Sequence, residues 1–204
     1  MNQSFVSAKK FNAISQQVKA KTIRKSKQIL ANSSVAFILT IIYFLTKQTI
    51  FLFASFAVLA EEFADSAASD IGRLSKKSPI DILKFKKVTP GISGGVTWLG
   101  MGSALVASLV ATSIPFMFFA TEWKAFLIII AVSFVGMLID SVLGSGFQVL
   151  YKCPICGAHT EGEMHCDVST EQVKGCKCID NSMVNLLSGV FTAILAILLL
   201  WAAQ

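Results

Sequence analysis

From residue 33 onward the chain alternates long apolar runs with short polar interruptions, and the runs are of membrane-spanning length. At about 20 residues per span, with short or tilted spans admitted, they predict helices over 33–46, 50–72, 96–120, 125–151 and 183–203. Lys47-Gln48 and residues 121–124 make the tight turns between them, and Pro115 is expected to kink or thin the third span. In residues 1–32, Phe11, Ile14 and Val18 fall on one helical face among seven Lys and Arg. That segment reads as a basic amphipathic helix, suited to a membrane surface or to a solvated extension of the first span. The fold class is therefore all-α: a polytopic membrane helix bundle of about five spans in 33–204, preceded by the basic segment 1–32.

Polarity inside such runs is costly, so its placement is informative. Glu62, Asp65, Ser66, Ser69 and Arg73 recur at spacings of three and four, a single stripe on a helix, with Asp70 beside it. Intramembrane carboxylates usually face a bundle interior or a wet cavity. A basic linker follows, and then Thr89-Pro-Gly91-Ile-Ser93-Gly94-Gly95 leads into the next span. A glycine-rich turn ahead of a helix N-terminus offers backbone N–H groups and the positive dipole end to an anion. In the fourth span Gly136, Asp140, Gly144 and Gln148 recur every four residues, and Asn181, Asn185 and Gly189 repeat the pattern more weakly. The small residues have an ordinary explanation as a close helix seam, and Asn185 as an interhelical hydrogen bond.

Together these residues describe a metal–phosphate site. Asp65, Asp70 and Asp140 would hold Mg²⁺. Asn32, Ser69, Lys86, Lys87, Gly91, Ser93, Gly94, Gly95, Gln148, Asn181 and Asn185 would contact phosphate or substrate. Asn32 has the alternative reading of a helix cap.

A hydrophobic fraction of 54% and a mean hydropathy of +0.66 exclude a soluble globule. The net charge of +6 does not point to nucleic acid, because the basic residues flank apolar spans, where positive-inside topology and anionic lipid account for them. With residue 1 inside, sixteen of the 18 Lys and Arg fall on the inner side, and Lys47 and Lys124 outside. The N-terminus, the site and the Cys-rich loop are then cytosolic and the C-terminus is outside. The first thirty residues have no apolar h-region, which reads against a signal peptide.

All five cysteines lie in 151–182. Cys153-Pro-Ile-Cys156-Gly157 is half of a zinc knuckle, two thiolates bracketing a tight turn. His165 with Cys166, or Cys166 with Cys176 or Cys178, would complete a structural Zn²⁺ site. Reduced thiols, and less readily on the cytosolic side a disulfide, are the alternatives.

The polar skeleton resembles the integral membrane family known as domain of unknown function 92, which includes the plant phytyl-phosphate kinase of tocopherol synthesis. The matching blocks are Gln28-Ile-Leu-Ala-Asn32, Ala64-Asp65-Ser66-Ala-Ala-Ser69-Asp70-Ile-Gly72, Thr89-Pro90-Gly91-Ile-Ser-Gly94-Gly95-Val96, Asp140-Ser141-Val-Leu-Gly144 with Gln148, Cys153-Pro-Ile-Cys156-Gly157, His165-Cys166, and Asn181 with Val184-Asn185. Two departures stand out: the basic extension replaces the further N-terminal helices of the family, and Ser33-Ser34 replaces a glycine pair.

The resemblance implies a Mg²⁺-dependent kinase moving a phosphoryl group from a nucleoside triphosphate to an isoprenyl monophosphate. The alternatives are a lipid nucleotidyltransferase and a carrier of a phosphorylated lipid. Membrane lipid is the expected surrounding partner, and a homo-oligomer is compatible with the sequence. No G-x-x-x-x-G-K-[ST] is present, so the nucleotide site is not a P-loop.

Overall fold

The computed structural model of the protein describes residues 29–119 and 122–203. Most of the basic N-terminal segment lies outside the described residues. Residues 29–32 are already helical, so Asn32 is inside that helix and not its cap.

Five helices form the body: α1 Ile29–Thr46, α2 Thr49–Gly72, α3 Trp98–Phe116, α4 Trp123–Gly146 and α5 Asn181–Ala202. All but α2 are long and apolar enough to cross a membrane. The 24-residue α2 carries Glu61, Glu62, Asp65 and Asp70. It packs against α3, α4 and α5, so its acidic positions can be shielded from lipid by protein. Outward positions such as Phe37, Phe44, Leu105, Val106 and Phe191 are exposed and apolar, as a lipid-facing surface requires.

Helix ends follow local chemistry. Lys47 turns the chain between α1 and α2 with φ 59°. Thr97 caps α3 by accepting from the Gly100 N–H at 3.0 Å, and Asp180 caps α5 by accepting from the Met183 N–H at 2.9 Å. Pro115 sits in the last turn of α3, which stops at Phe116.

The main core joins Val35 and Leu39 of α1, Ala54 and Val58 of α2, Ile129 and Val132 of α4, and Ala193, Ala196 and Leu200 of α5. A smaller cluster of Ala64, Ala104 and Met137 ties α2, α3 and α4. Small residues let the backbones approach: a Cβ on Gly100 would lie 2.8 Å from the Ala68 carbonyl oxygen.

Three features differ from the expectation. The glycine turn does not open a helix. Gly95–Val96 form a two-residue strand, β2, paired antiparallel with β1, Ile80–Asp81, and α3 begins only at Trp98. The fourth span ends at Gly146, which removes Gln148 from the face shared by Gly136, Asp140 and Gly144.

The Cys-rich loop, lastly, is a small β unit. Its strands β3 Leu150–Lys152, β4 His159–Thr160 and β7 Glu171–Lys174 form one antiparallel sheet in the order β4-β3-β7. β5 Met164–His165 and β6 Val168–Ser169 form a hairpin. Most of these strands are two or three residues long, too short to leave a period-2 signal.

Candidate functional site

The C-terminal ends of α2 and α4, the N-terminal ends of α3 and α5, the glycine turn and β4 enclose a cavity of about 960 Å³. Its wall carries Asp65, Ser66, Ser69 and Asp70 from α2, Arg73 just past its end, and Asp140 and Ser141 from α4. Asn32, Asn181 and residues Pro90–Thr97 complete that side, and His159, Thr160 and Glu161 face them from the Cys-rich unit. Asp70 is exposed, whereas Asp65 and Asp140 are half-buried. Acidic side chains outnumber the cationic ones in this wall, so a phosphate entering it needs a metal cation to offset the carboxylates.

Asp81 positions the glycine turn. This carboxylate is 5% exposed, and its Oδ1 accepts from the Leu83 and Lys84 N–H groups at 3.0 and 2.9 Å and from the Ser145 hydroxyl at 2.6 Å. Burial alone would raise the Asp81 carboxyl, but the Ser145 hydroxyl, those N–H groups and the nearby Lys84 charge together hold it below the ordinary carboxylate range. The Ile82 N–H donates to the Gly94 carbonyl at 3.0 Å. At Gly94, φ is +84° and an added Cβ would lie 2.4 Å from Ser145 Cβ, so only glycine fits between the turn and α4. The Ser93 hydroxyl donates to Glu161, tying the same turn to the Cys-rich unit.

Asn32, Asp65, Ser69, Asp70, Gly91, Ser93, Gly94, Gly95, Asp140 and Asn181 all line the one cavity. Four expected contacts lie elsewhere. Lys86 and Lys87 are exposed on the β1–β2 connection, Gln148 is buried beyond the end of α4, and Asn185 is buried deeper on α5.

Arg73, Thr97, His159 and Glu161 of the wall, and Asp81 behind the turn, are outside the site set that the sequence predicts. Arg73 had a signal, being on the polar stripe; the others depend on the loops folding back. The Asn32 Oδ1 is buried without a hydrogen-bond partner, as is one oxygen of Glu62.

The oxygen donors Asp65, Asp70, Asp140, Ser66 and Ser69 fit a hard cation such as Mg²⁺. Their carboxylates surround the space without closing on a point. Among the described residues the only His, Cys, Asp or Glu group whose ligand atoms all lie within 4.8 Å of one another is Cys153, Cys156, His165 and Cys166. This openness suits Mg²⁺, which keeps waters and binds through one or two carboxylates plus substrate phosphates.

Three thiols and an imidazole are zinc chemistry. The adjacent pair, awkward in an extended strand, is accommodated because Cys166 and Asp167 both take positive φ, 52° and 60°, in the β5–β6 turn. His165 Nδ1 then lies 3.2 Å from Cys166 Sγ and 3.5 Å from Cys156 Sγ. The backbone N–H of Cys156, with support from His165, pulls the Cys153 thiol down to about 6 against its burial. Hydrogen bonding to the Cys156 sulfur pushes the Cys166 thiol up to about 11. Cys176 and Cys178 stand outside this group, their sulfurs 2.7 Å apart.

A helical membrane bundle with a polar, carboxylate-lined cavity at one end is thus the class that the fold defines. The model of the integral membrane protein DUF92 family matches residues 4–193, and the chain belongs to that family. It is also similar to Protein PGR of Arabidopsis thaliana, 27% identical over 194 residues that cover 82% of this chain and 66% of the relative. The chain thus spans just under two thirds of that relative's length. No solved structure matches.

Proposed function

We propose that the protein is a membrane-embedded phosphotransferase that moves the γ-phosphoryl group of a nucleoside triphosphate onto an isoprenyl monophosphate of the phytyl type. The observation that carries this reading is the single cavity on which Asp65, Asp70, Asp140, Arg73 and the Gly91–Gly95 turn converge. Its volume of about 960 Å³ suits a nucleotide-sized ligand.

An oxygen of the lipid phosphate attacks the γ-phosphorus, the bond from that phosphorus to the bridging oxygen breaks, and nucleoside diphosphate leaves. The acceptor is already an anion and needs no strong base, so positioning and charge neutralisation are the main demands. Mg²⁺ held by the aspartates would supply part of the neutralisation, and Arg73 and the glycine turn the rest. Asn32, with its unpartnered buried oxygen, and Asn181 would orient the substrate.

An apolar groove of about 510 Å³ on the same α2–α3 pair, lined by Phe63, Ile71, Trp98 and Val106, offers a surface for the prenyl chain. Zn²⁺ on Cys153, Cys156, His165 and Cys166 would be structural. It would fix β3 and β4, and through them Glu161 against Ser93. The cavity faces the cytosol in this reading, which is where nucleotide is available.

The test is to incubate purified protein in detergent with Mg²⁺, labelled ATP or CTP, and phytyl or geranylgeranyl phosphate. Prenyl diphosphate is the expected product. Release of pyrophosphate would mark a nucleotidyltransferase. No turnover, combined with protein-dependent passage of the lipid phosphate across liposomes, would mark a carrier.

A further inference from the structure

Behind the cavity wall, deeper in the bundle, lies a second cluster of oxygens. Glu61 of α2 is 2% exposed, and one of its oxygens, Oε1, is 3.1 Å from the Ser188 hydroxyl of α5. Ser188 Oγ is also 3.3 Å from Asp140 Oδ2 and 3.0 Å from the Asn185 carbonyl oxygen. One hydroxyl hydrogen therefore faces three acceptors and can serve one of them well.

The neighbouring groups deepen the shortfall. The second Glu61 oxygen, Oε2, is buried with no hydrogen-bond partner, and so is the hydroxyl of Thr192, which is 0% exposed. Both side chains press into the notch at Gly136, where an added Cβ would lie 2.0 Å from Thr192 Oγ1 and 2.7 Å from Glu61 Cγ. A buried carboxylate oxygen and a buried hydroxyl left without partners carry a large desolvation cost. A cation that bonds to oxygen would supply the partner that these buried groups lack.

We propose that Glu61, Ser188 and Thr192 form an inner binding site for a desolvated monovalent cation of Na⁺ size. With the cation present, Ser188 turns a lone pair to it and gives its one hydrogen to Asp140. The unpartnered Glu61 oxygen and Thr192 hydroxyl then gain a ligand. The oxygen-only donor set selects a hard cation. Mg²⁺ is disfavoured because it dehydrates reluctantly and keeps several waters. A single charge balances Glu61 and leaves Asp140 available to the outer cavity. The site stands whatever reaction that cavity performs.

The test is equilibrium binding of ²²Na⁺ to the purified full chain in detergent, in choline buffer of constant ionic strength, together with thermal unfolding over a Na⁺ titration. The wild type is expected to bind saturably, about one ion per chain, and to gain several degrees in Tm with Na⁺ relative to choline. Glu61→Gln should lose both responses. Thr192→Val, which keeps the side-chain volume, should weaken binding at least tenfold, and it serves as the variant of record if Glu61→Gln does not fold. Absence of saturable ²²Na⁺ binding to the wild type overturns the site, and so does binding that persists unchanged in folded Glu61→Gln or in Thr192→Val.

Discussion

Asp140 lies at the junction of the outer cavity and the buried oxygens behind it, touching Ser188 on one side and lining the wall on the other. Asp140→Asn keeps the shape and removes the charge, so turnover is expected to fall on the order of 100-fold or more. Tm in the same detergent should be unchanged. Normal turnover in that variant would leave Asp140 a packing residue. Asp81 differs in kind, since it is not part of the cavity wall and holds the turn. Its carboxyl is lowered in the folded state, so its contribution is fully present above the unfolded value near 3.9 and is lost as pH falls through the folded one. Asp81→Ala is expected to cost about 1.5–3 kcal/mol at pH 7, the scale of hydrogen bonds to a charged group. The gap from wild type should stay constant between pH 7 and pH 5 and close only below about pH 4, which thermal unfolding across pH would read. The two residues also differ in legibility. A carboxylate inside an apolar run, such as Asp140, advertises itself. Asp81 sits in a polar loop among other charges, and only the fold-back of that loop onto Ser145 reveals its role.

At the scale of elements, the glycine turn and the Cys-rich unit work as a pair clamped on the end of α4. Gly94 lies against Ser145, Gly144 against Ser93, and Ser93 bonds Glu161. Gly94→Ala combines an unfavourable φ with a backbone clash, and is expected to lower Tm by several degrees and to abolish turnover. Metal analysis of freshly purified, reduced protein should find one zinc per chain. Cys153→Ser should lose it and open 151–182 to protease while the helices stay protected, whereas a zinc-free wild type would mean a thiol-only fold. The helices were readable because apolar runs of that length have few alternatives. The strand at the end of the turn is invisible to the sequence pattern for a physical reason: a two-residue pairing such as Ile80–Asp81 with Gly95–Val96 is a long-range event with no local periodicity. The Cys153–Cys156 half of the knuckle could be read from its spacing. Its closure by His165 and Cys166 needed the two positive-φ residues of the hairpin turn.

For the whole molecule, the architecture puts the polar cavity and both long connections at one end of the bundle. The ends of α2 and α4, the starts of α3 and α5, and both long connections share that end, whereas α1 and α2 are joined at the opposite end by Lys47 and Gln48. Charge follows the same division. Arg73, Lys76, Lys77, Lys84, Lys86, Lys87, Lys152, Lys174 and Lys177 lie in the two long connections, so the site end should be cytosolic by the positive-inside rule. Cys176 and Cys178 are exposed there and stand outside the zinc-type group, which makes them native reporters. A membrane-impermeant maleimide should label them in inverted vesicles and not in sealed, right-side-out ones. Lys47→Cys in a Cys176→Ser, Cys178→Ser background should give the reverse. Reporters labelled from the side opposite to the one expected would invert the topology and count against the proposed use of cytosolic nucleotide. Labelling of both from both sides would mean a bundle inserted in two orientations, which a sixteen-to-two charge bias should prevent.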